Sequence, residues 1–254
     1  QRSTTDPDAR SMNSQAKGTG LVGYNVQAAV DARHHLIVAH EVTNIGSDRS
    51  QLTAMSQEAL KATGCDGLTV LADRGYYNGD EVRACAGTGI LPVIPKTQTS
   101  GNPKRGLFSG TDFIYDAEND RYTCPAGQHL TKGKIRSDRR DEIDHYRNLT
   151  ACGACVLKPK CTTDKHKRVK RWIHEGVLDQ MQARLDRLPE AMTIRRQTVE
   201  HPFGTLKAWM GSTHFLTKTL DKVRTEMSLQ VLAYNMKRMI NILGVKRLMQ
   251  AIAA

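Results

Sequence analysis

Two short apolar runs in this chain each end in an aspartate, and this pattern most constrains the fold. The run YNVQAAVD ends at Asp31, and the run VLAD ends at Asp73. Apolar runs of this length between turn signals are typical of buried strands. A carboxylate at the end of such a run is costly to bury unless it binds a cation. The pattern therefore predicts an α/β core whose strand ends carry functional acids.

A third acid, Glu200, lies between Arg196 and Lys207 in a stretch with helical spacing. Two strand-end carboxylates faced by one from a helix can hold two divalent cations about 3.5–4 Å apart, which is the arrangement that cleaves phosphodiesters. Each acid alone also has a structural explanation, because acids are common in turns and in exposed ion pairs. Asp48, or Ser47 before it, is a good N-cap for the helix predicted over 49–63, and we assign Asp48 to helix capping rather than to this set.

The spacing of apolar residues predicts the order of elements along the chain. It predicts a hairpin over 21–42, a helix over 49–63, a strand over 68–73, a helix over 78–86 and a strand over 89–94. The pattern then weakens, and helical spacing returns over 178–188, 192–210 and 220–248. We therefore predict a linker (1–20), the first part of an α/β core (21–95), an insertion (96–175) and the helical remainder of the core (176–254).

The insertion carries clustered cysteines and basic residues. Cys152 and Cys155 form a CxxC pair, with Cys161 and Cys124 as outlying thiols. Four such thiolates suit a structural Zn²⁺ site, whose binding supplies folding free energy to a polar segment. His129, His145 and His166 could each substitute for a thiolate. The alternative to a zinc site is a set of reduced cysteines without a metal.

The chain carries 37 Lys and Arg against 26 Asp and Glu, a net charge of +11, which favours a polyanionic partner. Part of this charge follows Cys161, and it suits contacts with a DNA backbone. The basic residues proposed for these contacts are Lys167, Arg168, Lys170 and Arg171.

The sequence has no apolar run long enough to span a membrane and no secretory signal at its start. It also begins without Met, which suggests the C-terminal part of a longer protein, or alternatively a processed N-terminus. Because the sequence shows no export signal, we expect a reducing cytoplasmic setting, which favours metal ligation over disulfides for clustered cysteines.

The motifs around the three acids resemble those of DDE transposases of bacterial insertion sequences. The family signature reads Tyr, two residues, Arg, three residues, Glu, six residues, Lys, and Arg196, Glu200 and Lys207 have this spacing. Thr193 occupies the position of the Tyr. GYNVQAAVD and LADRGYYN resemble the family's first and second aspartate motifs. The resemblance implies an α/β, RNase H-like fold, a mixed five-stranded sheet flanked by helices and interrupted here by the cysteine-rich insertion.

The same resemblance implies the chemistry. Asp31, Asp73 and Glu200 would bind two Mg²⁺ or Mn²⁺ ions, cleave DNA at transposon ends and transfer the strand into target DNA. Arg196 and Lys207 would contact DNA phosphates. The expected assembly is a homodimer on DNA in the bacterial cytoplasm, associated with the nucleoid and not with a membrane. Two alternatives stay open: a nuclease of the same fold that does not join strands, and an inactive zinc-stabilised DNA-binding remnant.

Overall fold

The computed structural model describes residues 3–12, 21–97, 100–133 and 142–253. The chain divides into two compact units. The first comprises Gln1–Lys96 and Gln180–Ala254, and the second comprises Thr97–Asp179, where the sequence placed an insertion at 96–175. The fold is mixed α/β, as the sequence predicted.

The first unit contains three strand pairs. β1 (Arg10–Ser11) pairs antiparallel with β2 (Val22–Gly23), and β3 (Asn25–Val30) pairs antiparallel with β4 (Ile37–Thr43). β5 (Leu68–Leu71) pairs in parallel with β6 (Ile90–Val93). The crossover from β5 to β6 runs through a short helix, as a parallel pair requires. The hairpin and both later strands lie where the apolar runs predicted them.

The helices that the sequence predicted are present, with different ends. The helices of the described residues are α1 (Leu52–Thr63), α2 (Gly79–Cys85), α3 (Lys158–Cys161), α4 (Glu175–Arg187), α5 (Ala191–Gly204), α6 (Leu220–Leu243) and α7 (Val245–Ala253), of which the short α3 was not predicted. Gly244, with φ of 77°, separates α6 from α7, so the single helix predicted over 220–248 is two. Pro202 lies inside α5, and a π-helical turn, Thr205–Trp209, follows that helix.

α1 illustrates how the sequence builds this unit. Leu52, Met55 and Ala59 are buried at helical spacing, and the helix ends at Gly64 in the left-handed conformation with φ of 62°. Its apolar stripe packs against both β3–β4 and β5–β6. One helix therefore supports two strand pairs that do not pair with each other in the described residues.

The main core of the first unit lies between the β3–β4 hairpin and α6. Alternate residues of β3, namely Val26, Ala28 and Val30, pack on a cluster that includes Val223, Met227 and Tyr234 of α6. This alternation is the period of a strand with one face on a core. Asn25 and Gln27 point to the other face and reach Asp48, just before α1.

Residues 3–12 are packed on the core, although the sequence predicted a linker over 1–20. The Asp6 carboxylate accepts a hydrogen bond from Tyr24 Oη at 2.8 Å and from the Thr219 backbone N–H at 3.3 Å. Asp8 Oδ2 accepts from the Leu220 N–H at 3.0 Å. These two acids cap the start of α6, where no side chain of the helix itself does so. Residues 13–20 lie outside the described part of the chain.

The second unit contains a five-stranded antiparallel meander. The spatial order is β11-β10-β9-β8-β7. The strands are β7 (Ile114–Asp116), β8 (Arg121–Thr123), β9 (His129–Lys132), β10 (Ile143–Arg147) and β11 (Arg168–Trp172). The five-stranded sheet of this protein is therefore in the insertion, whereas the mixed five-stranded sheet was expected in the catalytic core. The described core strands form pairs instead.

The insertion also has an apolar core of its own. Phe113, Tyr122, Leu130 and Tyr146 are buried together, with Cys124 and Cys161 packed against them. The Tyr122 and Tyr146 rings meet edge to face with centroids 5.0 Å apart. The weak apolar periodicity of this segment hid the core, because its strands are only three to five residues long. No helix in the described residues is both long and apolar enough to cross a bilayer.

Candidate active site

A groove with a volume of about 600 Å³ runs between β3 and β5 in the first unit. α1 contributes Leu52, Met55 and Ala59 to its lining, and α5 contributes Val199 and Phe203. The charged lining residues are Asp31, Asp48, Asp73 and Arg195.

Asp48 and Asp73 lie side by side at one end of the groove, the end we call the acidic end. A methyl group placed on Gly75 would be 2.9 Å from Asp73 Oδ1 and 3.4 Å from Asp48 Oδ2. Both carboxylate oxygens are therefore within 3.4 Å of one point. Residue 75 is glycine where these two acids approach the backbone, and a larger residue would displace Asp73.

The end of β5 and the helix α5 fix the Asp73 carboxylate from two sides. Its Oδ1 accepts the Gly75 backbone N–H at 2.8 Å, an N-cap contact for the 3-10 turn Arg74–Tyr76. Its Oδ2 accepts a charge-assisted bond from Arg195 Nη2 at 2.7 Å. The side chain keeps 46% of its surface exposed, so it is held in place and still open to a ligand.

Asp48 does not cap a helix, contrary to the assignment made from the sequence, and the cap is its alternative, Ser47. Ser47 caps the 3-10 turn Asp48–Ser50 by accepting the Arg49 N–H. Asp48 Oδ1 instead accepts bonds from Asn25 Nδ2 and Gln27 Nε2, both at 2.7 Å. Asn25 and Gln27 alternate as polar residues in an otherwise apolar strand, and this pattern could have indicated a polar partner for that face.

Tyr76 closes the acidic end. Its hydroxyl donates a hydrogen bond to Gln27 Oε1. Burial raises the pKa of Tyr76, and the nearby Asp48 and Asp73 charges raise it further. The phenol is therefore protonated at neutral pH and acts as a hydrogen-bond donor that fixes Gln27, which in turn holds Asp48.

Asp31 lies at the other end of the groove. It follows β3, four residues beyond Gln27, which places it about 13 Å further along the strand. Its carboxylate accepts the backbone N–H groups of Arg33 at 3.3 Å and His34 at 2.6 Å, and so stabilises the turn from β3 to β4. The structure does not bring Asp31 and Asp73 together, and the catalytic role of Asp31 stays a prediction.

Glu200 is exposed on α5 and does not line the groove. It lies roughly 140° around the helix from Arg195, on the same side as Arg196. Arg196, Glu200 and Lys207 are all exposed. The residues of the sequence signature therefore share one exposed surface of this segment. The residue that reaches Asp73 is the neighbouring Arg195, which lies on the same face of α5 as Thr198 and Val199.

The basic residues of the insertion divide by the alternation of β11. Arg168 and Lys170 are exposed on one face of the strand. Arg171 points to the other face, where it pairs with Asp179 at 2.6 Å and lies 3.6 Å from the centroid of the Tyr115 ring. Lys167 lies over the Phe113 ring at 5.0 Å. Arg168 and Lys170 are thus the two of these four whose side chains are exposed, and Arg168 also pairs with Asp164 at 3.5 Å.

The four cysteines proposed as zinc ligands share one small cavity. Cys124, Cys152, Cys155 and Cys161 all line a space of about 30 Å³ beside the apolar core of the insertion. All four are free thiols. Burial raises the pKa of the Cys161 thiol, an effect that the Lys167 charge opposes. The described residues contain no group of three or more His, Cys, Asp or Glu side chains placed to hold a metal, so a zinc site is not shown.

The donor set at the acidic end suits a hard divalent cation. Mg²⁺ is bound by one or two carboxylates and completes its shell with water and substrate phosphate, which is what Asp48 and Asp73 can provide. A complete three-ligand grouping is not present in the part of the chain that the structure describes. The acidic end therefore offers oxygen ligands of the type that Mg²⁺ prefers, and two of them are protein carboxylates.

The family model of the transposase DDE domain matches residues 2–236. The chain belongs to the DDE transposase family, whose members are DNA-cleaving and DNA-transferring enzymes. The match confirms the family that the sequence motifs indicated. Membership of this family implies that DNA is the partner of the protein. Members of the family generally use divalent metals. Comparisons with curated proteins and with solved structures gave no match.

Proposed function

We propose that this protein cleaves DNA at transposon ends and transfers the freed strand into target DNA, at a divalent-metal centre built on the acidic end of the groove. The observation that carries the proposal is the juxtaposition of Asp73 and Asp48 within a chain of the DDE transposase family. The expected core is RNase H-like, and the two strand pairs carried by α1 support that interpretation.

The residues of the chain position the carboxylates. Arg195 and the Gly75 N–H each hold one oxygen of Asp73, while Asn25 and Gln27 hold one oxygen of Asp48. The second oxygen of Asp48 is left on the side of Asp73. When bound, Mg²⁺ or Mn²⁺ ions supply activation of the attacking oxygen and neutralisation of the leaving oxygen.

Asp31 and Glu200 remain proposed catalytic residues, each with its own test. Glu200 is exposed and makes no contribution to the groove, so Glu200→Gln should leave stability within about 0.5 kcal/mol of the parent. If Glu200 is catalytic, cleavage falls at least tenfold in the same variant. For Asp31 the substitution Asp31→Asn should be compared for both stability and cleavage, because its carboxylate also stabilises a turn.

DNA would lie along exposed basic residues. Arg196 and Lys207 near α5 are open to phosphates, as are Arg168 and Lys170 on β11 of the insertion. Replacing any one of these side chains that binds a phosphate should reduce the slope of log affinity against log salt by about one. A homodimer that brings two DNA ends together is the assembly we propose, and light scattering of the DNA complex tests it.

The decisive experiment measures DNA cleavage and joining. The substrates are a supercoiled plasmid and short duplexes with exposed 3′-OH ends, incubated with the protein and Mg²⁺. We expect nicked and joined products that disappear with chelator, and at least a hundredfold loss in Asp73→Asn. Glu58→Gln, an exposed carboxylate on α1, is the matched control and should retain activity. An unchanged rate in Asp73→Asn would remove the proposed centre.

The same assay separates the alternatives. Nicking without joined products identifies a nuclease of this fold that does not transfer strands. DNA binding without any cleavage identifies an inactive DNA-binding remnant.

We also propose that Cys124, Cys152, Cys155 and Cys161 hold a structural Zn²⁺ ion. Their shared cavity supports this, and the apolar core beside it offers a metal-free explanation of the same fold. Metal analysis of the purified protein should give about one zinc per chain, and Cys152→Ser should lower it. Cys65→Ser, an exposed cysteine of the first unit, is the control. A zinc content near zero in the parent protein would reject the site.

A further inference from the structure

The groove between β3 and β5 is walled by the edges of two strands. Every residue of β3 and every residue of β5 lines it. Because side chains alternate along a strand, a cavity against a face is lined by every second residue, whereas one lined by every residue meets an edge. The other edge of β3 is paired with β4, and the other edge of β5 is paired with β6.

These two edges offer backbone N–H and C=O groups to whatever enters the groove. In the described part of the chain neither β3 nor β5 has a second neighbouring strand. Native proteins rarely leave such edges side by side across an empty space, because buried backbone groups need hydrogen-bond partners. An occupant that pairs with both edges at once is an extended polypeptide.

The strands β3 and β5, whose edges form the walls of the groove, run in opposite directions. The start of β3 reaches Asp48 through Asn25 and Gln27, and the end of β5 leads to Asp73, which lies beside Asp48. A strand placed between them in either direction is parallel to one wall and antiparallel to the other. The result would be a continuous mixed sheet in the order β4-β3-strand-β5-β6.

Helices cover the groove on both sides of the plane of β3 and β5. α1 lies on the side of Gln27, where it contributes Leu52, Met55 and Ala59. α5 lies on the opposite side with α6, to which it is joined by a hydrogen bond between His201 and Tyr234. A strand covered on both faces is apolar throughout.

The charges of the groove also select its occupant. Asp48, Asp73 and Arg195 are at the acidic end and Asp31 is at the other, so the length between them is uncharged. Acids at both ends disfavour a nucleic acid backbone inside the groove. The length of β3, six residues, sets the span of the occupant at about 20 Å.

We infer that the groove binds an extended polypeptide strand of five or six uncharged, β-branched residues, supplied by a segment outside residues 1–254. The described strands of this chain do not provide it. β1 and β2 pair with each other, and β7 to β11 form the sheet of the second unit. Strand addition at a sheet edge gives affinity through main-chain hydrogen bonds and specificity through alternating side chains.

Two measurements on the purified chain test this inference. In the first, a displayed library of random ten-residue peptides is selected on the protein. We expect enriched peptides with a central run of uncharged β-branched residues, and at least tenfold weaker binding when prolines replace two central residues, because proline cannot donate to the ladder. In the second, hydrogen exchange of the β3 and β5 amides that are not bonded to β4 or β6 should slow when a selected peptide is added.

Groove-filling variants locate the binding. Ser56 is 3% exposed and lines the groove from α1, so Ser56→Phe should abolish peptide binding. Val199→Trp fills the groove from α5 and provides an independent variant if the first fails to fold. Ala62→Phe, at an exposed position of α1, is the matched control and should bind as the parent does.

Four outcomes would overturn the inference. Three of them are the absence of any enriched peptide, binding that survives both folded groove-filling variants, and protection in the chain alone of those β3 and β5 amides that are not bonded to β4 or β6. A concentration-dependent dimer that Ser56→Phe converts to a monomer would also overturn it, because a second copy would then fill the groove. These readouts need no DNA and no metal, so they are independent of the proposed catalysis.

Discussion

Arg195 donates to the Asp73 carboxylate at 2.7 Å, although the two residues are 122 positions apart in the chain. The contact joins the end of β5 to α5 and fixes the carboxylate of Asp73, which we propose as a catalytic acid. It also shows that the arginine which matters for Asp73 is not the one in the family spacing, Arg196, but its neighbour. The two arginines therefore give a matched pair for experiment.

Arg195→Gln should reduce cleavage at least tenfold, because Asp73 loses the donor that orients it. The pair is partly exposed, so the stability loss should be no more than about 1 kcal/mol. Arg196→Gln should keep both stability and single-turnover cleavage at saturating DNA, and lower the salt slope of DNA binding. Melting, cleavage and salt titration of both variants check this. Equal cleavage by the two variants would contradict the orienting role.

Asp48→Asn should reduce Mg²⁺-dependent cleavage by at least tenfold and raise the Mg²⁺ concentration needed for half-maximal rate. The reason is the loss of a charged oxygen beside Asp73, while the amide oxygen can still accept from Asn25 and Gln27. The folded state should therefore survive. A Mg²⁺ titration of the cleavage rate is the measurement, with Glu58→Gln as the control. A normal metal requirement in Asp48→Asn would exclude Asp48 from the centre.

Gly75→Ala should impair catalysis without unfolding the protein. The added methyl would lie 2.9 Å from Asp73 Oδ1, and the atom that moves is the tip of a side chain rather than backbone. We expect a stability change below about 1 kcal/mol and a clear loss of cleavage rate. Gly23→Ala, where the new methyl meets no atom within 4 Å, is the control. Retained activity in Gly75→Ala would show that Asp73 tolerates displacement.

Asp6 should make stability depend on pH in the acid range. Burial alone would raise its pKa, but hydrogen bonds from Tyr24, Asp8 and Thr219 lower it below the ordinary 3.8. Because the folded-state pKa is lowered, the stabilisation is fully present above that ordinary value and is lost as pH falls through the folded pKa.

Two substitutions separate the charge of Asp6 from its capping role. Asp6→Ala should cost about 1 kcal/mol at pH 7, the usual cost of losing a helix cap. Asp6→Asn keeps an acceptor oxygen and should flatten the fall in melting temperature below about pH 4. Thermal melts across the acid and neutral range provide the measurement. Parallel melting curves for Asp6→Asn and the parent would exclude this acid as a contributor.

The elements of the first unit were well predicted from local patterns. The β3–β4 hairpin, α1 and the strand before Asp73 follow from apolar periodicity, which depends on near neighbours in the chain. The core of the insertion was missed, because strands of three to five residues carry too little periodicity to stand out. The contacts of residues 3–12 were missed for a related reason: the two acids of this segment cap a helix more than 200 residues away.

The sequence by itself determined the family, through three acids in recognisable motifs, and the order of strands and helices that carries them. Only the tertiary structure decided which side chains meet. Asp48 joins Asp73 because a strand and a turn far apart in the chain converge there, and Asp31 is carried away because β3 runs towards the other end of the groove. Local patterns determine which residues form an element. Long-range packing determines which elements lie side by side, and therefore which side chains meet.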